Sequence, residues 1–329
     1  MPDPGPDLPM HRRHLLQLAA TCAVSPAALA DSFPSRPITL VVPFGPGGVA
    51  DITARTVGQA MAGPLGQPIV IDNRPGAGGI VATQAVLKAP ADGHTLLLMS
   101  NATAVSVHLV KKLPYDVQKD LAPVTTLGFF ELALAVGAGS RFKNLAALLA
   151  HGKANPGRLT IGTINVGSTQ HLAAELFKAR TGLDAVVVPY KGSPAVINAL
   201  RAGEIDLAFE ILSPLLPQLQ AGVVRALAVT GPQRFAGLPE VPTVIEQGVP
   251  GYSVDSWNAL AAPAGTPAAA IERLRQAALA ALAQPGVRQT LLNLGVKPQG
   301  GTPAEQAALL AQEIRHWGEV VRAAKIEPE

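Results

Sequence analysis

The sequence predicts an α/β fold of two lobes, each a mostly parallel sheet flanked by helices. Short apolar runs typical of buried strands alternate with segments of helical periodicity along most of the chain, and this alternation is the pattern of βαβ units. A strand followed by a glycine-bearing loop and a helix occurs near Gly47 and again near Gly167. Two units of one kind in different parts of the chain favour two lobes that face each other.

Seven apolar runs are predicted to be strands: Ile38–Val42, Pro68–Asp72, Thr95–Met99, Leu159–Thr163, Ala185–Pro189, Ile205–Phe209 and Arg225–Thr230. The helices predicted between them are Asp51–Met61, Asn144–Ala154, His171–Arg180 and Ala195–Ala202. The C-terminal part instead carries two apolar stripes at helical spacing. One stripe is Ile271, Leu274, Ala278 and Leu282, and the other is Leu310, Ile314, Trp317 and Val321.

The N-terminal segment has the order of a secretory signal. A basic stretch at His11–His14 precedes the apolar run Leu15–Leu29, and Ala28-Leu29-Ala30 forms a small-x-small cleavage site. We therefore expect residues 1–30 to be a cleaved signal, of the Sec type or, because the basic stretch contains paired arginines, of the twin-arginine type. An amphipathic helix and a lipoprotein attached at Cys22 are the alternatives.

Composition narrows the function classes. The chain after Ala30 has no cysteine, so a hydrophobic core and not disulfides must hold it together. The full sequence has 26 Lys and Arg and 23 Asp and Glu, which give a net charge of only +3, and these charged residues are scattered along the chain. This distribution argues against a nucleic-acid partner and a polybasic membrane surface. No later apolar run reaches transmembrane length, so we expect a soluble mature protein.

The loop Phe44–Asp51 is predicted to bind an anion. It follows the strand Ile38–Val42 and opens an alanine-rich helix, so several main-chain N–H groups lie free at one helix start. These groups and the helix dipole favour negative charge. Gly47 and Gly48 let a ligand approach the main chain without an intervening Cβ atom.

A second loop, Asn165–His171, follows the strand Leu159–Thr163 in the same manner. Ser168 and Thr169 are good helix caps whose hydroxyl groups are also able to bond a ligand oxygen. Because ligands bind beyond the carboxyl ends of strands in open α/β sheets, the two loops predict one cleft that holds a ligand from both sides. Caps that only satisfy their own helix are the alternative.

Several motifs resemble the Bug family, the substrate-binding proteins of tripartite tricarboxylate transporters. They run in family order over nearly the whole mature chain and comprise Pro43–Gly48, Asp72–Gly79, Leu113–Asp116, Ser168–His171, Val188–Ser193, Leu227–Thr230 and Val241–Thr243.

The resemblance implies a two-lobed periplasmic binding protein of type II-like architecture that closes about a hinge on a small carboxylate and delivers it to a membrane permease. It implies a first lobe of residues 31–130 plus 254–329 and a second lobe of residues 131–253, with crossovers near Phe130 and Ser253. In the family, two loops hold the carboxylate through main-chain N–H groups, hydroxyls and ordered water. They correspond here to Phe44–Asp51 and Asn165–His171.

The candidate ligand-binding residues combine these loops with nearby strand ends. Asn101 comes just after the strand Thr95–Met99, Tyr190 and Glu210 follow two further strands, and Trp257 lies where the chain returns to the first lobe. The full set is Phe44, Pro46, Gly47, Gly48, Val49, Asp51, Asn101, Asn165, Gly167, Ser168, Thr169, Gln170, Tyr190, Glu210 and Trp257.

Departures from the family pattern concern the ligand. Val49-Ala50 stands where many members have Ser-Thr, and Ile164–Gly167 is more apolar than the usual Ser-Gly-Asn-Gly. Both changes remove hydrogen-bonding side chains, so we expect a mono- or dicarboxylate with an apolar or aromatic body. Glu210, where the family often has Asp, binds a ligand amine or hydroxyl if it faces the cleft. If it is a capping or surface carboxylate, it carries no information on the ligand.

The sequence indicates neither a cofactor nor an enzyme. Gly76–Gly79 lacks the full Gly-x-Gly-x-x-Gly spacing, the seven histidines lack metal-ligand spacing, and no Gly-x-Ser-x-Gly elbow occurs. His171 is the one histidine beside the proposed site, and a role in the helix start is favoured for it. An exported hydrolase is therefore the weaker alternative. A subunit that presents a ligand to a membrane sensor kinase would use the same cleft.

Overall fold

The computed structural model describes residue 1 and residues 33–328, an α/β chain of alternating strands and helices. Apart from residue 1, the segment predicted to be a signal, with Cys22, lies outside the described residues. The strands are β1 (Ile38–Val42), β2 (Ile69–Asn73), β3 (Thr95–Ser100), β4 (Leu121–Gly137), β5 (Leu159–Ile164), β6 (Ala185–Tyr190), β7 (Leu207–Ile211), β8 (Val224–Val229), β9 (Asp255–Pro263) and β10 (Val296–Pro298).

The helices are α1 (Val49–Leu65), α2 (Ile80–Leu87), α3 (Asn101–Leu109), α4 (Leu145–Ala154), α5 (Thr169–Thr181), α6 (Ser193–Ala202), α7 (Leu212–Gln220), α8 (Ala268–Ala283), α9 (Pro285–Asn293) and α10 (Pro303–Ala323). A 3₁₀ turn at Ala77–Gly79 precedes α2. All seven predicted strands and all four predicted helices are confirmed, with small shifts at their ends. Within the described part, no helix combines the length and the hydropathy that crossing a bilayer requires.

The sheet is mixed, and its strand order is β2-β1-β3-β9-β4-β7-β5-β6, with β8 and β10 also paired to β4. The parallel pairing predicted from the βαβ pattern holds for β2-β1-β3 and for β7-β5-β6. Strands β4 and β9, which were not predicted, join these two parallel groups through antiparallel pairs. The fold is therefore two-lobed, with a parallel group in each lobe.

Strand β4 belongs to both lobes. Its residues Leu121–Glu131 pair with β9, and Leu132–Gly137 pair with β7 and β8. The short strand β10 pairs with β4 just before this change of partner.

Both C-terminal apolar stripes face the core. Leu274, Ala278 and Leu282 of α8 are buried, and so are Leu310, Trp317 and Val321 of α10. Ile271 and Ile314 are partly buried against the same clusters. These helices therefore cover the lobe that contains the first strands of the chain, since α8 packs on α1 and α10 on α3.

Carboxylates cluster where β4 changes its partners. Glu131 of β4 lies directly opposite Asp255 of β9, and Lys297 of β10 forms an ion pair with Glu131. Burial first, and then the charge of Glu131, raise the pKa of Asp255 to about 7, which Lys297 only partly offsets. Glu313 of α10 adds a further negative charge. Burial and the neighbouring charge of Glu131 thus favour the protonated form of the Asp255 carboxyl up to near-neutral pH.

We predict that Asp255 makes the protein less stable as the pH rises toward 7. Between the ordinary aspartate value of 3.8 and about 7, the native carboxyl keeps a proton that the unfolded chain has released. The free energy of unfolding should fall by up to about 1.4 kcal/mol per pH unit in this window. Asp255→Asn should match the parent near pH 4 and exceed it at pH 8 in denaturant titrations.

The exposed Asp184 provides the matched control, because Asp184→Asn should leave the pH profile of the parent unchanged. Parallel profiles for the parent and Asp255→Asn would show that Asp255 does not titrate in this window.

Candidate functional site

Five helix starts surround one cavity between the lobes. The cavity has a volume of about 260 Å³, and the first residues or caps of α1, α3, α5, α6 and α7 line it. We call it the inner cavity. Its lining residues are Phe44, Gly48, Val49, Ala50, Ser100, Ala102, Val105, Phe130, Ile164, Gly167, Ser168, Thr169, Gln170, Ser193, Ile211, Ser256 and Asn258. Because helix N-termini carry partial positive charge, their convergence favours an anion.

The start of α1 offers main-chain donors to the inner cavity. Gly48 is the N-cap and no side chain caps this helix. Among the described residues, the N–H groups of Gly48, Val49 and Ala50 have no hydrogen-bond acceptor. Gly47 differs, because its N–H donates to Oδ2 of Asp51 at 2.9 Å. Gly48 and Val49 thus line the cavity as predicted, whereas Gly47 shapes the loop.

Asp51 supports this loop from behind and does not line the cavity. Its side chain is buried and accepts hydrogen bonds from Arg55 at 3.0 Å and from Asn73 at 2.9 Å. Burial alone would raise the pKa of Asp51, but the hydrogen bonds from Arg55, Gly47 and Asn73 outweigh it and lower the pKa. The Asp51 carboxylate is therefore ionised and stabilises the loop through these hydrogen bonds. Pro46, another residue of this loop predicted to bind the ligand, is exposed and does not line the cavity.

The start of α5 forms the opposite wall. The Ser168 hydroxyl accepts from the N–H of His171 at 3.1 Å and donates to the carbonyl of Ile164 at 3.0 Å. This hydroxyl therefore caps its own helix. The N–H groups of Thr169 and Gln170 have no acceptor among residues 33–328, and both residues line the cavity.

His171 belongs to the helix start and not to the cavity lining. Its Nδ1 lies 3.4 Å from the main-chain nitrogen of Gly167, and burial lowers the pKa of its ring. The structural role favoured from the sequence agrees with this position.

A side-chain hydrogen bond joins the lobes beside the inner cavity. Nδ2 of Asn101, at the start of α3, donates to Oγ1 of Thr169, at the start of α5, at 3.0 Å. Asn101 is fully buried, and its Oδ1 has no partner among the described residues. Asn101 therefore connects the start of α3 with the start of α5, and its side-chain oxygen Oδ1 is left without a donor among the described residues.

Strand β9 contributes Ser256 and Asn258, and not the predicted Trp257. Successive side chains of a strand point to opposite faces, so only the two residues flanking Trp257 reach the cavity. Trp257 is 1% exposed and packs in the hydrophobic core. Asn258 is fully buried, and neither atom of its amide has a partner among the described residues.

Three other predicted residues lie near the inner cavity without lining it. Glu210 is fully buried behind Gln170, whose Nε2 donates to its Oε1 at 2.8 Å, and burial raises the pKa of Glu210. Tyr190 packs against the core of the second lobe, and its carbonyl accepts from the N–H of Asn165. Asn165 itself lines the neighbouring outer part of the cleft.

The lining residues that the sequence reasoning missed fall into two groups. Six of them lie at the end of a strand or in the segment that follows it, so the rule applied to Phe44–Asp51 and Asn165–His171 would have found them: Ala50, Ser100, Ala102, Ile164, Ser193 and Ile211. Phe130, Val105, Ser256 and Asn258 reach the cavity from strand or helix interiors, where no local signal marks them.

Within residues 33–328, no group of three or more His, Cys, Asp or Glu side chains is placed to hold a metal ion. What the cavity offers is a set of unused main-chain donors, the amide of Asn258 and apolar walls. This is the equipment of a site that binds a small anion with an apolar body between two lobes.

The two-lobed fold with an anion-favouring cavity between the lobes defines a solute-binding receptor. Residues 53–326 match the family described as the tripartite tricarboxylate transporter family receptor, and the chain belongs to this family. BugT of Bordetella pertussis is 38% identical over 306 residues, which cover 92% of this chain and 94% of BugT. The resemblance to the Bug family is thereby confirmed.

Two solved structures extend the similarity. Rpa4515 of R. palustris with adipate has 36% identity and a TM-score of 0.81, covering 90% of this chain and 100% of that chain. MatC of Rhodopseudomonas palustris with bound malate has 34% identity and a TM-score of 0.76, covering 88% of this chain and 100% of that chain.

We predict that Gly48→Phe abolishes ligand binding without unfolding the protein. No heavy atom lies within 4 Å of a Cβ built at Gly48, and its φ of −82° suits any residue. A phenylalanine ring would occupy the inner cavity beside the free N–H groups. Isothermal titration calorimetry should detect no binding, and the far-UV circular dichroism spectrum should be unchanged.

Gly63→Phe on the same helix is the control, since the space around Gly63 is equally open and Gly63 does not line the cavity. Full affinity in a folded Gly48→Phe protein would refute the assignment of this loop.

We also predict that Asn258→Leu weakens binding and stabilises the ligand-free protein. An unpartnered buried amide costs about 1–3 kcal/mol, which an apolar side chain of similar size does not incur. The melting temperature should rise, while the ligand Kd should increase roughly tenfold through the lost hydrogen bonds.

Gln306→Leu supplies the opposite case. The amide of Gln306 is also buried, and its Oε1 has no partner among the described residues, but its Nε2 donates to the carbonyl of Leu260 at 3.0 Å. Gln306 lies outside the inner cavity. Its replacement should lower the melting temperature and leave the ligand Kd unchanged. A lower melting temperature in both variants would mean that Asn258 has a structural role.

Proposed function

We propose that this receptor captures a small carboxylate in the inner cavity and delivers it to a tripartite tricarboxylate-type permease in the membrane. The names of Rpa4515 with adipate and MatC with malate support a carboxylate ligand. We further propose that the protein works in the periplasm after export by a cleaved N-terminal signal of the Sec or twin-arginine type. Binding and release, and not turnover, are the proposed activity.

The observation that carries this proposal is the set of unused donors facing one cavity. The N–H groups of Gly48, Val49, Ala50, Thr169 and Gln170 come from both lobes and lack acceptors in the described part of the chain. A carboxylate has two oxygens that accept several hydrogen bonds, and it carries the charge that helix N-termini favour. Its binding would satisfy donors on both walls.

The walls of the cavity favour a ligand with an apolar or aromatic body. Its lining includes the apolar side chains of Phe44, Val49, Val105, Phe130 and Ile211. Val49 and Ala50 stand where many family members have Ser-Thr, so these two positions provide no hydroxyl group to the ligand. A mono- or dicarboxylate with one polar end would place its body against these side chains. A ligand amine or hydroxyl gains no support from Glu210, because this residue is buried behind Gln170 and does not line the inner cavity.

Lobe closure is the proposed mechanism of capture. We propose crossovers near Phe130 and Ser253, which divide the mature chain into residues 31–130 plus 254–329 and residues 131–253. Two features support them: β4 changes partners after Glu131, and β9 begins at Asp255. The Asn101–Thr169 hydrogen bond, which is formed here at 3.0 Å, would hold the two lobes in the closed arrangement.

We predict that small carboxylates raise the melting temperature of the purified protein in a thermal-shift panel of mono- and dicarboxylates with matched neutral amides. A ligand that binds only the folded state adds about 2.7 kcal/mol of stability at a hundred times its Kd. The acids should stabilise the protein and the amides should not. Stabilisation by an amide and not by its acid would overturn the anion assignment.

A further inference from the structure

A second cavity continues the inner one toward the surface. It has a volume of about 580 Å³, and we call it the outer cavity. It shares with the inner cavity Phe44, Ala102, Val105, Ile164, Gly167 and Ser168. Its own lining residues are Gly78, Ile80, Ser106, Leu109, Val110, Asn165, Val166, Ile326 and Glu327. The two cavities therefore share walls and lie next to each other in the cleft.

Helix α3 is the wall common to both parts of the cleft. Ala102 and Val105 line both cavities, while Ser106 and Leu109 line only the outer one. These four positions share one helix face, because they are three or four residues apart. From Ala102 to Leu109 this face is about 10 Å long at 1.5 Å per residue. The outer cavity thus adds length to the site along a defined direction.

The polarity of α3 distinguishes the two ends of the cleft. Its N-terminus, capped by Ser100, lies at the inner cavity, and its C-terminus at Leu109 and Val110 lies at the outer one. The partial charge of a helix is positive at the first end and negative at the second. Glu327 adds a carboxylate to the outer lining, while Lys111 and Lys112 do not line it. Five helix starts meet at the inner cavity, whereas the outer lining adds only one new helix start, at Ile80 of α2. A ligand anion is therefore favoured at the inner end.

The side chains of the outer cavity are mainly apolar and come from both lobes. Leu109 of the first lobe contacts Gly167 of the second, where a side chain would have no room. Val166 lies on the second lobe with 56% of its surface exposed. Ile326 is held at the C-terminal end by a hydrogen bond from its N–H to the carbonyl of Val321 at 3.1 Å. These residues offer an apolar surface that a bound chain would cover.

We propose that the outer cavity binds the apolar tail of the carboxylate held in the inner cavity. The ligand class is then a monocarboxylate with an extended aliphatic or arylalkyl chain. This inference rests on the proposed function and narrows its ligand. A second carboxylate at the end of the tail would lie among mainly apolar side chains such as Leu109 and Val110, and in the same cavity as the like charge of Glu327, so it is disfavoured.

The test is calorimetric titration of the purified protein with straight-chain monocarboxylates from propanoate to decanoate. Each added methylene that enters the outer cavity should tighten the Kd roughly threefold to fourfold and make the heat-capacity change more negative. The improvement should stop when the chain extends past Leu109. The dicarboxylate with the same number of carbons as the best monocarboxylate should bind more weakly.

A substitution that introduces a charge into the outer cavity distinguishes tail binding there from carboxylate binding in the inner cavity. Val110→Asp introduces a carboxylate into the outer lining alone, at the end of α3 that is remote from the inner cavity, so it should remove the gain from chain length and leave the Kd of propanoate unchanged. Val70→Asp is the matched control, because Val70 is 51% exposed on the same lobe and lines neither cavity. It should retain the parental dependence on chain length.

The possible failures are distinguishable. A Kd that is constant along the series, or an equally tight dicarboxylate, would overturn the tail subsite while leaving carboxylate binding in place. If no member of the series binds and neutral amides bind instead, the proposed function itself fails.

Discussion

The relative position of the two lobes depends on one strand, β4, to which the strands of both lobes are joined. Strand β4 hydrogen-bonds to β9 and β10 in one lobe and to β7 and β8 in the other. The first parallel group reaches β4 through β9, and the second reaches it through its own strand β7. The direction in which each group presents its strand ends is therefore set by β4. The meeting of five helix starts at one cavity follows from this pairing.

An anion site beside a buried aspartate presents an electrostatic difficulty that the first loop resolves. Asp51 lies in the first turn of α1, so its charge would repel a ligand carboxylate at the N-terminus of the same helix. Arg55 pairs with it at 2.9 Å, and Gly47 and Asn73 donate to its oxygens. The negative charge is thus compensated locally, and the N–H groups of the cavity-lining residues Gly48, Val49 and Ala50 remain without an acceptor among the described residues.

The sequence predicted the parts of the fold and of the site that local chemistry determines. Strands with apolar runs and loops with glycine at a helix start, such as Gly48, have signals within a few residues. Trp257 was placed on the wrong face because the run from Ala259 to Ala262 is buried throughout and shows no alternation from which a phase could be read. Only the pairing of β9 with β3 and β4 decides that Asn258 faces the cavity.

Strand β4 escaped prediction for a related reason. Pro123, Gly128 and Glu131 interrupt its apolar pattern, and each would ordinarily argue against a central strand. In the structure, irregular register accommodates the first two. Glu131 is paired with Lys297, a residue far away in the chain. Such compensation is a property of the folded molecule and has no counterpart in the neighbouring sequence.

The free N–H groups of the two loops have an evolutionary consequence. Every amino acid except proline supplies a main-chain N–H, so the proposed capture of a carboxylate does not require particular side chains at Val49 and Ala50. Thr169 and Gln170 are more restricted, because Thr169 accepts a hydrogen bond from Asn101 and Gln170 donates one to Glu210. A lineage built on this fold is therefore able to exchange one nutrient for another by substitutions in the walls alone, and each intermediate remains a working receptor.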